Sequence, residues 1–151
     1  MNETQNKIML RVPNRDEISS IIKQFKNDYF SDSIDIDLIS DKYAKFADLI
    51  VAYYENDPAG YIAYYCNDSK TLTAYITMVV VKETFRCQGI ATKMLDFVLN
   101  NCRRNGFKKC RLEVDNKNKK ALRLYKKTGF VYEGSAGNNS SYYYISLKNE
   151  E

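Results

Sequence analysis

Apolar and polar positions change period several times along the chain, and each change marks an element. Residues 8–12 read as a short strand, stopped by Pro13 and Asn14. Asn14 and Glu17, three residues on, have the spacing of a capping box. A helix is therefore expected from Arg15 to about Tyr29, with Ile18, Ile21, Ile22 and Phe25 on one face. An acidic polar stretch follows (Ser31, Asp32, Ser33, Asp35, Asp37), then a second helix around residues 38–46. Residues 49–55 and 61–66 alternate like strands, and the turn-rich Asn56-Asp57-Pro58-Ala59-Gly60 between them predicts a hairpin. A third run, 72–82, is rich in β-branched residues and ends in Val79-Val80-Val81. Three adjacent valines suggest a strand covered on both faces.

The period then changes. Ile90, Met94, Val98 and Cys102 recur every four residues, with Leu95 and Leu99 widening the stripe, and Gly106 ends the helix this predicts. Residues 109–114 read as a strand. Residues 119–127 read as a short helix with Ala121, Leu122, Leu124 and Tyr125 inward, ended by Gly129. Residues 130–133 and 142–147 are the closing strands. Strands flank a helix in mid-chain, so at least one βαβ unit is expected. The fold class is α+β in three layers, a mixed sheet with helices on both faces.

A length of 151 residues suits one domain spanning 1–151. Charged residues at 28% and hydrophobic ones at 44% are ordinary for a soluble globular chain. No apolar run approaches the roughly 20 residues of a membrane helix, and the polar first seven residues have no signal-peptide core, so no membrane association and a cytoplasmic location are expected. The chain has no histidine, which removes Ser-His-Asp and Cys-His catalysis and the usual zinc sites. No metal site is expected, and any general base is a carboxylate, a tyrosine, a lysine or water. The four cysteines, Cys66, Cys87, Cys102 and Cys110, form no CxxC pair and are read as buried or half-buried free thiols. Charge is uneven: residues 1–58 carry 7 basic and 11 acidic side chains, and residues 59–151 carry 16 and 8. Two solvated surfaces of different sign account for this. So does a polyanion held by the C-terminal part and a cationic substrate met by the N-terminal part.

Chemistry concentrates after the valine run. Phe85-Arg86-Cys87-Gln88-Gly89-Ile90-Ala91-Thr92 leads directly into a helix. The first turn of a helix has backbone N–H groups without intrahelical partners, and its dipole favours negative charge. Gly89 and Ala91 keep side chains out of the way, while Arg86 and Thr92 add a charge and a hydroxyl. GxxxxGK[ST] and GxGxxG, the rival phosphate motifs, are absent.

Arg86-x-x-Gly89-x-Ala91 after a valine-rich strand resembles the acyl-CoA-binding motif of the GCN5-related N-acetyltransferase (GNAT) superfamily. Leu112-Glu113-Val114, then Asn118-x-x-Ala121-x-x-Leu124-Tyr125-x-Lys127-x-Gly129-Phe130, resembles that family's next strand and helix. The strict match covers about 50 residues. The resemblance implies a mostly antiparallel mixed sheet in which one parallel strand pair splays apart to admit acetyl-CoA as cosubstrate. It implies that the pantetheine arm pairs with the backbone around Val80, through Val79 and Val81, whose N–H groups also polarise the thioester carbonyl. The pyrophosphate is implied on Gln88 to Thr92, with Arg86, Cys87 and Ile90 in the same cradle, and Asn118 and Lys127 near the coenzyme. Asn118 is equally a helix N-cap. Cys87 stands where relatives commonly have glycine or a basic residue. The run Lys117, Lys119, Lys120, Arg123, Lys126 and Lys127 is either a solvated helix face or a partner for the 3′-phosphate.

Tyr125 matches the family's general acid; a phenol with pKa about 10 keeps its proton at pH 7. Otherwise it is a packed tyrosine, one of 13. Glu113, twelve residues earlier, resembles the base glutamate of ribosomal-protein and other protein N-terminal acetyltransferases. The competing roles are a solvent-facing strand carboxylate for Glu113 and a water chain for the base. Many relatives carry a glutamate further upstream, where this chain has Tyr75.

The family's acceptor site falls here on residues 28–41 and 134–144, where aspartates would suit a cationic amine and Tyr142, Tyr143 and Tyr144 would wall a pocket. The favoured expectation is acetylation of a small-molecule primary amine by direct attack in a ternary complex, by a monomer or homodimer. The alternatives are acetylation of a peptide N-terminus and a noncatalytic CoA- or nucleic-acid-binding module; nucleic acid is not expected as a partner.

Overall fold

The first helix begins where its capping pattern places it. In the computed structural model, which describes residues 7–28 and 35–148, the backbone N–H of Asn14 donates to Glu17 Oε1 at 3.0 Å. Tyr29, Ser31, Asp32 and Ser33, named above, lie outside the described residues. The elements in order are β1 (Ile8–Arg11), α1 (Arg15–Lys23), α2 (Ile36–Phe46), β2 (Asp48–Tyr54), β3 (Asp57–Tyr65) and β4 (Thr73–Val81). A 3-10 turn (Glu83–Phe85) follows, then α3 (Ile90–Arg104), β5 (Lys109–Asp115), α4 (Lys119–Thr128), β6 (Val131–Gly137) and β7 (Ser140–Ser146). One mixed sheet has the order β1-β2-β3-β4-β5-β7-β6. The β4–β5 pair is parallel, and β1–β2, β2–β3, β5–β7 and β6–β7 are antiparallel. Contacts divide the chain into two compact units, Met1–Tyr64 with Met78–Val98, and Tyr65–Thr77 with Leu99–Glu151.

In the first unit, residues 49–52 of β2 and 59–64 of β3 are buried without alternation, so both faces of these strands are covered. Successive strand residues point to opposite faces, and their contacts name the covers. Phe25, just past α1, packs its ring 5.1 Å from that of Tyr61. On the other face, Met94 of α3 lies against Gly60. Continuous burial was expected of the valine run, but of its three valines only Val80 is buried, while Val79 and Val81 are half-buried.

Several boundaries also differ from the sequence expectation, among them the start of α2 at Ile36 and the closing strands at Val131–Gly137 and Ser140–Ser146, and two have a local cause. Helix α1 stops at Lys23, because Gln24 and Phe25 donate to the carbonyls three residues back, Ile21 and Ile22, tightening the last turn. Phe25 nonetheless stays on the apolar face, fully buried. The β2–β3 turn is Glu55-Asn56, with Glu55 at φ 56°, while Asp57 and Pro58 already pair with Tyr54 and Tyr53. Proline is tolerated here because the ladder carries a bulge between Ala52 and Tyr53.

Gly60 is glycine for clearance. A Cβ there would lie 2.7 Å from the Val80 carbonyl oxygen and 3.1 Å from Met94 Cε. The Lys82 N–H donates to Ala59 O at 2.9 Å, so the end of β4 is held close against β3. Gly60→Ala is expected to lower stability by about 1–3 kcal/mol, the usual cost of overpacking. Denaturant midpoints check this, and an unchanged midpoint would show that β4 can retreat freely.

In the second unit, β4 residues Thr73–Ile76 pair in register with Lys109–Leu112 of β5. Strand β5 alternates: Cys110, Leu112 and Val114 are buried, and Lys109, Arg111, Glu113 and Asp115 take the other face. Its neighbour β7 sets Tyr144 opposite Arg111 and Tyr142 opposite Glu113. Asn138 (φ 50°) and Asn139 (φ 63°) turn the β6–β7 hairpin, as a type I′ turn requires. Helix α4 opens on Asn118, whose Oδ1 accepts the Ala121 N–H at 3.1 Å, and closes on Gly129 at φ 116°.

Candidate functional site

The loop between β4 and α3 belongs to the first unit. Cys87 has φ 63° and Gly89 has φ 80°, with Gln88 between them outside the left-handed region. Left-handed residues beside ordinary ones turn successive backbone N–H groups toward a common point, the arrangement that receives anions. For Cys87 this conformation costs about 1–3 kcal/mol, which glycine would not incur. The first turn of α3 holds no acidic side chain, whereas α1 carries Asp16 and Glu17 in its own. Ala91 is half-buried and Thr92 exposed at the start of α3, and Ile90 is buried beneath it. This backbone therefore suits a diphosphate.

Arg86 is placed differently from a free cation. Its Nε donates to Val81 O at 3.0 Å and its guanidinium donates to Asp28 O at 3.3 Å. The Asp28 carboxylate in turn accepts the Glu83 N–H at 3.4 Å. Arg86 is thus a brace between the end of β4, the loop and the segment after α1. Sequence reasoning missed this because carbonyl acceptors leave no trace in residue type.

The second unit carries the other candidates. Tyr125 is buried on α4, with its ring 5.7 Å from that of Phe130. Burial disfavours its phenolate, so its pKa lies above the ordinary tyrosine value and the proton stays on at neutral pH. Glu113 is exposed on β5. Asn118 is a working N-cap, and Lys127 is exposed on α4. Tyr143 is buried. Tyr142 and Tyr144, expected to wall a pocket, each carry a cation over the ring: Arg111 lies 3.8 Å from the Tyr142 ring centroid and Lys109 4.5 Å from that of Tyr144. Both cations end on Glu133, each at 2.5 Å. Their hydrogen bonds, Lys109 first, hold the Glu133 carboxyl below the usual carboxylate range. Neither Glu133 nor its partners stood out in the sequence; they are more than 20 residues apart and meet across β7.

The thiols split by environment. Cys102 and Cys110 are buried and Cys66 is half-buried, but Cys87 is exposed, contrary to expectation. Burial pushes the Cys110 thiol up to about 12, so it stays protonated and unreactive at neutral pH. Among the described residues, no helix is long and apolar enough to cross a membrane.

The model of the "Acetyltransferase (GNAT) family" matches residues 15–130. N-alpha-acetyltransferase 30 of Saccharomyces cerevisiae (strain ATCC 204508 / S288c) is 35% identical over 60 residues, which cover 40% of this chain and 34% of that protein. The chain thus covers about a third of the length of the curated relative it matches. Among solved structures, the ribosomal-protein-S18-alanine N-acetyltransferase from Escherichia coli superposes with a TM-score of 0.80 at 10% identity, covering 95% of this chain and 96% of that one. The paia N-acetyltransferase from Thermoplasma acidophilum in complex with coenzyme A gives a TM-score of 0.75 at 15% identity, covering 92% and 98%. At these identities the structures establish the shared fold.

Proposed function

From a chain that belongs to the acetyltransferase (GNAT) family, we propose an enzyme that transfers the acetyl group of acetyl-CoA to a primary amine. The observation that carries this is the loop from Cys87 to Gly89, whose left-handed residues open onto a helix start with no acid of its own. When bound, acetyl-CoA supplies an activated acyl group and a thiol leaving group. In this reading the backbone of Cys87, Gln88, Gly89, Ile90, Ala91 and Thr92 holds the diphosphate, and Arg86 braces that backbone. The backbone at Val79, Val80 and Val81 receives the pantetheine arm, and Asn118 and Lys127 are the coenzyme-binding candidates of the second unit. Tyr125 Oη holds the proton to be donated, and the Glu113 carboxylate takes the proton of the attacking amine.

Two acceptor classes follow, a small-molecule amine and the α-amine of a peptide. The second gains support from the 60-residue similarity to an N-alpha-acetyltransferase. Chemistry points the same way. Deprotonating an α-amine at pH 7 costs about 1 kcal/mol, against roughly 4–5 for a lysine side chain. An exposed carboxylate such as Glu113 is better matched to the smaller cost. The test is acetyl-CoA turnover across small amines, lysine-bearing peptides with blocked N-termini and peptides with free N-termini. Free-N-terminus peptides are expected to give the highest kcat/KM. Turnover confined to small amines restores the first class, and no turnover with any acceptor removes the enzymatic reading.

A further inference from the structure

Glu133 has no part in the chemistry above, yet it gathers two cations on the strand face that carries Glu113. Lys109, Arg111 and Glu113 alternate on β5 and share that face. Two residues along a strand is about 6.6 Å, well within the reach of an arginine side chain. Left to itself, Arg111 would turn to the carboxylate of Glu113, occupy its acceptor sites and repel a protonated amine. It is held elsewhere. Arg111 lies over the ring of Tyr142, the residue directly opposite Glu113, and ends on Glu133. Lys109 crosses Tyr144 to the same carboxylate. Glu133 falls at the register shift of β6 between Tyr132 and Gly134, and bulges re-aim the side chain they carry. All three charged groups are partly buried, at 36%, 35% and 23% side-chain exposure for Lys109, Arg111 and Glu133. That burial protects the contacts from the screening that weakens surface pairs.

We propose that Glu133 is a positioning residue, which draws Arg111 away from Glu113 and so keeps that carboxylate open to a cationic acceptor amine. The proposal rests on the reading of Glu113 as proton acceptor. It also sets a specificity: Glu133 offsets one of the two positive charges and draws Arg111 away from Glu113, so the surroundings of Glu113 favour acceptors without a carboxylate beside the amine.

The test is steady-state kinetics with the best acceptor found above. Glu133→Gln should lower kcat/KM about tenfold, mostly through KM, with acetyl-CoA affinity unchanged. It should also shift relative turnover toward acceptors carrying an acidic group. Adding Arg111→Met to that variant should restore kcat/KM to within about twofold, which the loss of a merely structural contact would not do. Unchanged kinetics in Glu133→Gln, or a loss that the second substitution does not relieve, overturns the proposal. Glu113→Gln separates the two layers. If it leaves kcat/KM unchanged, the role of Glu113 fails; if it lowers kcat/KM while Glu133→Gln does nothing, only the present inference fails. Should Glu133→Gln not fold, Arg111→Met alone decides: kcat/KM near wild type supports the proposal, and a tenfold fall overturns it.

Discussion

A Gly89→Trp variant is expected to bind acetyl-CoA at least about a hundredfold more weakly than the wild type. The indole would occupy the space through which a diphosphate reaches the backbone between Cys87 and α3. Each hydrogen bond to a charged group is worth about 1.5–3 kcal/mol, so losing two is enough for that fall. Gly89 sits at φ 80°, where any side chain adds backbone strain of about 1–2 kcal/mol. Thermal unfolding must therefore be followed in parallel, and a small loss of stability is anticipated. Calorimetry gives the affinity directly. The exposed thiol of Cys87 gives a second reading in the wild type: bound acetyl-CoA should slow its modification by a maleimide. Normal binding by the tryptophan variant would mean that the diphosphate lies elsewhere.

Tyr125→Phe is the other large effect. It removes one proton donor and little else, since the ring keeps its place beside Phe130. A thiol is already a fair leaving group, so kcat should fall by about 10²-fold, the low end for acid–base help, with acetyl-CoA affinity unchanged. An unchanged kcat with the true acceptor removes Tyr125 from the mechanism. Its raised pKa adds a signature in stability. Above pH about 10 the unfolded chain releases this proton while the folded chain retains it, so the contribution present below that pH is lost as pH rises. Wild type should therefore lose more stability than Tyr125→Phe on going from pH 9 to pH 11.

What the sequence disclosed was local in origin. Asn14 with Glu17, the four-residue stripe of α3, and Gly129 at the end of α4 are signals carried within a few residues, and each marks its element correctly. The errors arose where neighbours distant in sequence decide. Asn56 to Gly60 has the composition of a turn, but Pro58 is accommodated by a bulge and Gly60 by the approach of Val80. The valines of β4 promised burial on both faces, which belongs instead to β2 and β3, packed between Phe25 and Met94. The left-handed turn at Gly89 was legible because glycine is the residue that adopts such a backbone without strain. The capping of Tyr142 and Tyr144 by Arg111 and Lys109 was not, since it depends on a carboxylate two strands away.

The brace formed by Arg86 bears on how such a position tolerates exchange. A lysine there would preserve the charge and satisfy a search that scores basic residues near a phosphate. It could not serve two carbonyls at once with a planar fork, and the joint between the loop and Asp28 would open. Drift at this position is thus constrained by shape more than by sign, and homologues that have abandoned arginine should show a compensating tie elsewhere between the same two segments.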